Sequence, residues 1–219
     1  MDSYLIKRAR GPVSPSDDFT HSEAWKHIEF IELKNKYGKS ISNAPRVRIK
    51  LQYDDTYIYG LFLVHDKYVY LNTTEDMQQV CKDSCVEIFI QPKDNIRYYN
   101  FEFSGNGHML LYNITHCRSK NFTLVTPEDL ASVIRRTSLP ARMVPECKNN
   151  LNWTFYFAIP IAFFVKYGDN VNPALSGQTW RANITKCADD SSHPHWLSWQ
   201  KLSKLDFHLP ECFGELTFE

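Results

Sequence analysis

Glycine is scarce, with 8 among 219 residues, and none of them builds the glycine-rich loop that cradles a dinucleotide or a phosphate. Net charge is missing too. Lys+Arg and Asp+Glu both total 25, which argues against a nucleic-acid or anionic-membrane partner held by bulk electrostatics. The longest apolar run, Phe155 to Val165, is interrupted by Pro160 and reaches about half of a membrane span, so it reads as a buried strand. At the start, charge returns at Lys7 after Ser3-Tyr4-Leu5-Ile6. That leaves no signal-peptide core, and the expected compartment is the cytoplasm, or outside the cell if a leader has been removed. Helical periodicity is nearly absent, with one weak candidate at Ser22 to Ile28. The six cysteines (Cys81, Cys85, Cys117, Cys147, Cys187, Cys212) are scattered along a chain large enough to build its own core, so reduced thiols are expected.

What the chain has in abundance is aromatic side chains, 14 Phe, 12 Tyr and 5 Trp, within a hydrophobic share of 43%. Disorder is excluded. Arg46 to Tyr53 alternates strictly, with Val47, Ile49, Leu51 and Tyr53 apolar, as a strand with one wet face requires. Asp54-Asp55-Thr56 turns the chain into a second run, Tyr57 to Val64, making a hairpin. The same grammar predicts a meander from Ser84 to Gln91, Arg97 to Ser104 and His108 to Ile114. A strand at Trp153 to Ile159 follows, then a helical turn opened by Pro160, and last strands at Trp180 to Lys186 and Gly214 to Phe218. Leu139 to Asn150 reads as a long loop. The expectation is one all-β domain over residues 1–219: an antiparallel β-sandwich, jelly-roll- or immunoglobulin-like, with one or two short helices.

Strand parity gives the sharpest local inference. Val86, Ile88 and Ile90 face the core, which puts Cys85, Glu87 and Phe89 on the opposite face. Tyr99, Phe101 and Phe103 likewise leave Tyr98, Asn100 and Glu102 outside, so an antiparallel register sets Glu87 opposite either Asn100 or Glu102. Arg181, Asn183 and Thr185 hold the polar parity of their own strand. Opposed carboxylates repel unless they share a proton or meet a cation or sugar hydroxyls. The plain alternative is a solvated outer face, and a third reading is a glycoside hydrolase using the pair.

The tail from His193 to Glu211 is dense in rings: Trp196, Trp199 and Phe207, with His193, His195 and His208. Flat rings pack against sugar C–H patches while acids, amides and Arg take hydroxyls, although either Trp could equally plug the core. His193-Pro194-His195 completes no zinc motif. Asp54-Asp55, Glu75-Asp76 and Asp189-Asp190 offer oxygen ligands without an EF-hand spacing, which leaves a structural calcium open and no cofactor required. Cys81 and Cys85 are one residue too far apart for a thioredoxin-like pair.

Three segments together resemble the family 9-like carbohydrate-binding domains: Lys82-Asp83-Ser84-Cys85-Val86-Glu87-Ile88-Phe89-Ile90, Tyr98-Tyr99-Asn100-Phe101-Glu102-Phe103, and the ending Phe207-His208-Leu209-Pro210-Glu211-Cys212-Phe213-Gly214-Glu215-Leu216-Thr217-Phe218. Trp180 to Asn183, Trp196 to Trp199, Trp25 and the Tyr53-Asp54-Asp55 hairpin extend the resemblance over nearly the whole chain. It implies a sandwich that binds sugars without transforming them, clasping a glycan end between two rings, in the context of polysaccharide degradation. By position, Glu87 matches the acid that bonds sugar hydroxyls and Phe207 falls where one ring stands. The family's other ring precedes Asp83, where this chain has Val80 and Cys81, so Trp196, Trp199 or another loop residue must supply it. Asn100 and Glu102 fall near polar binding positions; the family's Arg is missing there, and Arg181 is the proposed replacement. Some related modules hold structural calcium. The expected ligand-binding set is therefore Glu87, Asn100, Glu102, Arg181, Phe207, Trp196 and Trp199, with a carbohydrate partner. The rivals are hydrolysis by Glu87 and Glu102, or an interaction module whose sugar site has decayed.

Overall fold

The computed structural model describes residues 1–14, 22–39, 41–93, 95–115, 122–123, 125–168 and 170–219. Strand β1 (Ser3–Arg8) opens the chain, followed by the predicted hairpin of β2 (Arg46–Tyr53) and β3 (Tyr57–Asp66). The meander is β4 (Cys85–Gln91), β5 (Tyr98–Ser104) and β6 (Met109–Ile114). Then come β7 (Ile134–Thr137), β8 (Leu151–Pro160), β9 (Thr179–Cys187), the short β10 (Trp196–Ser198) and β11 (Gly214–Phe218). The expected strands are in place. The stretch read as a long loop also holds a short strand, Met143–Cys147, paired with Val69–Leu71.

Two layers result. The first runs β6-β5-β4-β9-β11-β1 and the second β1-β2-β3-β8-β7. Strand β1 belongs to both, pairing in parallel with β11 through Ser3 to Ile6 and with β2 through Lys7 and Arg8. The sheet therefore curls over on itself as a sandwich, antiparallel except along β1. Inside lie Val86, Ile88, Ile90, Phe101 and Phe103 from one layer against Val47, Ile49, Phe62, Phe155 and Phe157 from the other, all buried. Phe103 reaches across to Phe155 at 5.0 Å and Phe157 at 5.2 Å between ring centres. Each such side chain contributes about 1.5–3 kcal/mol when fully buried, so the aromatic abundance of the sequence is largely spent on the seam between the layers.

The helices are short. Glu23–Lys26 (α1) falls inside the predicted segment, and Trp25 from it packs with Tyr59 and Tyr156 on the outside of the second layer. Pro127–Ser132 (α2) starts where Pro127 needs no amide partner and Thr126 Oγ1 accepts from the Asp129 amide. Ile161–Tyr167 (α3) follows Pro160 and sends Phe163 and Phe164 onto Tyr99, each at 5.3 Å.

A buried ion pair also joins the layers. Lys186 Nζ on β9 stands 3.5 Å from Asp66 Oδ2 on β3, with both side chains fully buried. The same ammonium donates to the Cys187 carbonyl and to His195 Nε2, at 2.9 and 3.0 Å. His195 Nδ1 in turn bonds to the His193 carbonyl. Its Nε2 lone pair is thus used by a cation, which leaves it unsuited to a zinc site. Burial, with Lys186 beside it, holds the imidazole neutral down to about 3.

Gly60 is required where β3 meets β8. It pairs with Phe157 in register, and a Cβ placed there would stand 2.1 Å from that ring. Gly60→Ala is expected to lower unfolding free energy by roughly 1–3 kcal/mol through overpacking, with Phe157→Leu recovering part of it. Urea unfolding of the single and double variants checks this, and an unchanged midpoint would contradict it.

Candidate binding site beneath the C-terminal loop

The register settles which polar residue opposes Glu87. It is Glu102 on β5, while Thr185 on β9 flanks it from the other side. The outer face that carries them is not wet. Cys85 and Phe89 are fully buried, as is Asn100, and Glu87 and Glu102 retain 2% and 7% exposure. Both faces of β4 and β5 are covered, so the solvated-face reading fails.

The cover is the segment between β10 and β11. Phe213 packs on Phe89 and Tyr98 at 5.8 and 5.6 Å, and His208 stands edge-on to Phe89 at 5.3 Å while its Nδ1 meets the Tyr98 hydroxyl at 3.0 Å. Phe207, next to the His208 anchor in the chain, is half-buried and edge-on to Phe89. Trp196 arrives from the opposite side. Strand β10 pairs with β9 and, on its other edge, with Asn35–Tyr37, and the Trp196 indole lies so close to Gly38 that a Cβ there would meet ring carbons at 2.9 Å. Its Nε1 donates to Asp189 Oδ1 at 2.9 Å.

Between these pieces lies a pocket of about 220 Å³ whose lining includes Glu87, Glu102, Asp189, Trp196, Phe207 and His208. Of the residues named from the sequence, four meet there: Glu87, Glu102, Trp196 and Phe207. Asn100 lies just behind, with its Nδ2 donating to Glu102 Oε1 at 2.7 Å. Arg181 is elsewhere. Its guanidinium donates to the Phe213 carbonyl at 3.3 Å, and its backbone pairs with Gln91 and Glu215. Trp199 is 5% exposed and packs in the main core, which is the plug reading for that ring. Cys81, Cys187 and Asp189 also line the pocket and were not in the expected ligand-binding set. Cys187 was nonetheless legible, since it shares the parity of Thr185 and pairs with Cys85.

The electrostatics follow from burial. Desolvation pushes the Glu87 carboxyl up to about 7, against the pull of a hydrogen bond from the Cys187 thiol at 3.1 Å. Desolvation and then the Glu87 charge drive Glu102 well above the usual carboxylate range. Asp189 is raised as well, mainly by burial. At neutral pH the pair holds at least one proton. Burial raises the Cys85 thiol to about 12, and the hydrogen bond with Cys85, then burial, raises Cys187 as well, so they are not reactive thiolates.

Three of the carboxylates named from the sequence for calcium already have protein partners. Asp54 accepts from the Thr56 and Tyr57 amides and the Tyr59 hydroxyl, Asp55 pairs with Arg8, and Asp76 takes two bonds from Arg135. Among the described residues, the one cluster of three possible metal donors is Cys85, Glu87 and Cys187, and thiols suit softer ions than calcium. The five described cysteines are free thiols; Cys117 lies outside the described residues.

Fold and pocket together define a β-sandwich that carries a ring-lined, acidic pocket on one outer sheet face, under its own C-terminal loop. The chain belongs to carbohydrate-binding family 9, whose family model matches residues 20–218. A proposed carbohydrate-binding protein from Bacteroides uniformis ATCC 8492 has a similar structure, with a TM-score of 0.84, 29% identity and 99% of each chain covered. Two structures of a family 9 module from Caldicellulosiruptor kristjanssonii share the fold. The one in complex with cellotriose has a TM-score of 0.64 at 14% identity and covers 100% of this chain and 94% of its own. The one with glucose has 0.65 at 15%, covering 100% and 96%. No curated protein matches the chain.

The raised carboxyls make a stability prediction. A group whose pKa is higher in the folded state binds its proton more tightly there, so its favourable contribution is full below the ordinary value of 4.5 and is lost as pH rises through about 7. His195 works in the opposite direction, costing stability as pH falls below its ordinary 6.5. Glu102→Gln removes one of the two acids and is expected to gain on the wild type by roughly 1–3 kcal/mol at pH 8 relative to pH 4.5. Urea denaturation from pH 4 to 9 checks it; a difference that does not grow with pH would contradict the buried-pair assignment.

Proposed function

We propose that this carbohydrate binder holds the end of a glycan, or a free sugar, in the pocket of Glu87, Glu102, Trp196 and Phe207. One observation carries the reading: two aromatic side chains from separate segments line the same small cavity as a pair of buried carboxyls. Rings cover the C–H faces of a pyranose while the carboxyls and Asp189 take its hydroxyls. Trp196 then supplies the second ring that Val80 and Cys81 do not. A volume of about 220 Å³ is below the roughly 300–1,000 Å³ of sites for drug-sized ligands, which favours one terminal sugar over a chain lying across the sheet. The cellotriose and glucose complexes of the Caldicellulosiruptor module support a small sugar as ligand.

Hydrolysis fits less well. A glycosidase sets its two carboxyls on either side of the scissile bond, whereas Glu87 and Glu102 rise side by side from neighbouring strands of one face. The decayed-site reading calls for a ring-poor face, and Trp196 and Phe207 argue against it. A role beside polysaccharide-degrading domains is the setting we infer for such a module.

With so little ligand surface to bury, the expected Kd lies between about micromolar and millimolar, or roughly −8 to −4 kcal/mol. Calorimetric titration against glucose, cellobiose, cellotriose and a wider glycan panel tests the reading, with Trp fluorescence in parallel. Phe207→Ala and Glu87→Gln are each expected to weaken binding tenfold or more, with the sugar recovered intact. Silence across the panel from folded wild-type protein would sink the proposal, and new products would move it to an enzyme.

A further inference from the structure

The charges around the pocket are unbalanced. Glu87, Glu102 and Asp189 line it, and neither a Lys nor an Arg does so among the described lining residues. Two cations of the neighbouring strand β9 are engaged elsewhere. Lys186 is adjacent in sequence to the lining residue Cys187, yet its ammonium serves Asp66 and His195 on the inner side of the sheet. Arg181 serves the Phe213 carbonyl. Asp206, a fourth acid of the lining, has Lys204 at 3.8 Å on the exposed loop. His208 is the single base of the lining, and its Nδ1 bonds with the Tyr98 hydroxyl. These acids can bond the hydroxyls of a neutral sugar, but three of them in one half-covered cavity also repel one another unless protonated, and a ligand that carries a cation relieves that repulsion.

We propose that the ligand brings the missing charge: the pocket takes an amino sugar, a hexopyranose with a free ammonium group, held by Glu87, Glu102 and Asp189 while Trp196 and Phe207 pack its ring. This deepens the carbohydrate reading of the same site and rests on it. The ammonium supplies three donors in place of a hydroxyl's one, and Glu102, already oriented by Asn100, and Glu87, bonded by Cys187, present fixed acceptors. Rings also favour a cation near their faces. Charge reaches Glu87 from the Asp189 carboxyl, which raises it, and more weakly from the Lys186 ammonium, which lowers it, while polar neighbours surround the pair. On β4 there is the Cys85 thiol, on β9 Thr185 and Cys187, on β6 Tyr112, and on the preceding loop Cys81; all are neutral, with Cys81 and Tyr112 held so by burial and by the Glu102 charge. An arriving ammonium reverses that balance. It draws off the proton that the buried pair retains near neutral pH, so binding releases protons to the buffer.

The test is calorimetric titration of the full chain at pH 6 in two buffers of different ionisation enthalpy, with three methyl glycosides: of glucosamine, of glucose and of N-acetylglucosamine. The glucosaminide is expected to bind at least tenfold more tightly than the other two, to release protons as they do not, and to lose most of its advantage in 0.5 M salt. In Glu102→Gln the ratio of glucosaminide to glucoside affinity is expected to fall toward one. Glucoside binding equal to or tighter than that of the glucosaminide overturns the inference and leaves the carbohydrate reading standing. Glucoside binding that matches the glucosaminide only when Zn²⁺ is added would assign the charge to a metal on Cys85, Glu87 and Cys187, and overturns it too. Silence from all three glycosides and from the wider glycan panel would bring down both readings.

Discussion

Everything at the site follows from the fact that β4 and β5 are buried on both faces. A sheet in a sandwich ordinarily shows one face to the core and one to water. Here the water-side face is roofed by the C-terminal loop, anchored through Phe213 and His208 on Phe89 and Tyr98. The roof turns two opposed glutamates, which water would have kept ionised and apart in effect, into a pair that must share protons or find a positive partner. It also leaves a gap above them, and that gap is the pocket.

The same tail sets the geometry of the pocket. Trp196 is fixed by strand pairing on two edges and by the absence of a side chain at Gly38, while Phe207 is fixed by packing alone. One wall is therefore rigid backbone and the other a loop held by aromatic contacts. Behind the sheet, the Lys186–Asp66 pair and the neutral His195 link the inner layers at the end of the same β9 strand that delivers Cys187 to the pocket. Lys186 with its partner Asp66 and the Glu87–Glu102 pair thus lie on opposite faces of one sheet. That separation is what leaves the pocket acidic.

Much of this was legible from residues. Strict alternation gave β2 its boundaries, parity put Glu87 and Glu102 on one face, and the family resemblance led to Phe207. Four things were not legible, each for a physical reason. Parity states which face a side chain shares but not what covers that face, so the roof over Glu87 was invisible. Arg181 has the correct parity but sits two residue pairs further along β9 than Thr185, beyond the lateral reach of the pocket. Trp196 and Trp199 look equivalent in sequence, yet the odd spacing between them sends one ring to the pocket and the other into the core. Strand β1 escaped notice because its parallel pairing with β11 and β2 depends on partners distant in sequence.

The central claim is that the roofed acidic pair is the sugar site. A crystal structure of the protein soaked with the glycoside that binds most tightly tests it most directly. The account predicts a pyranose in contact with Trp196 and Phe207, with ligand oxygen or nitrogen atoms within hydrogen-bond distance of Glu87 and Glu102. A sugar ordered instead in the polar hollow at Tyr70, Asn72, Lys82 and Asp190, with the space above Glu87 empty, would contradict it.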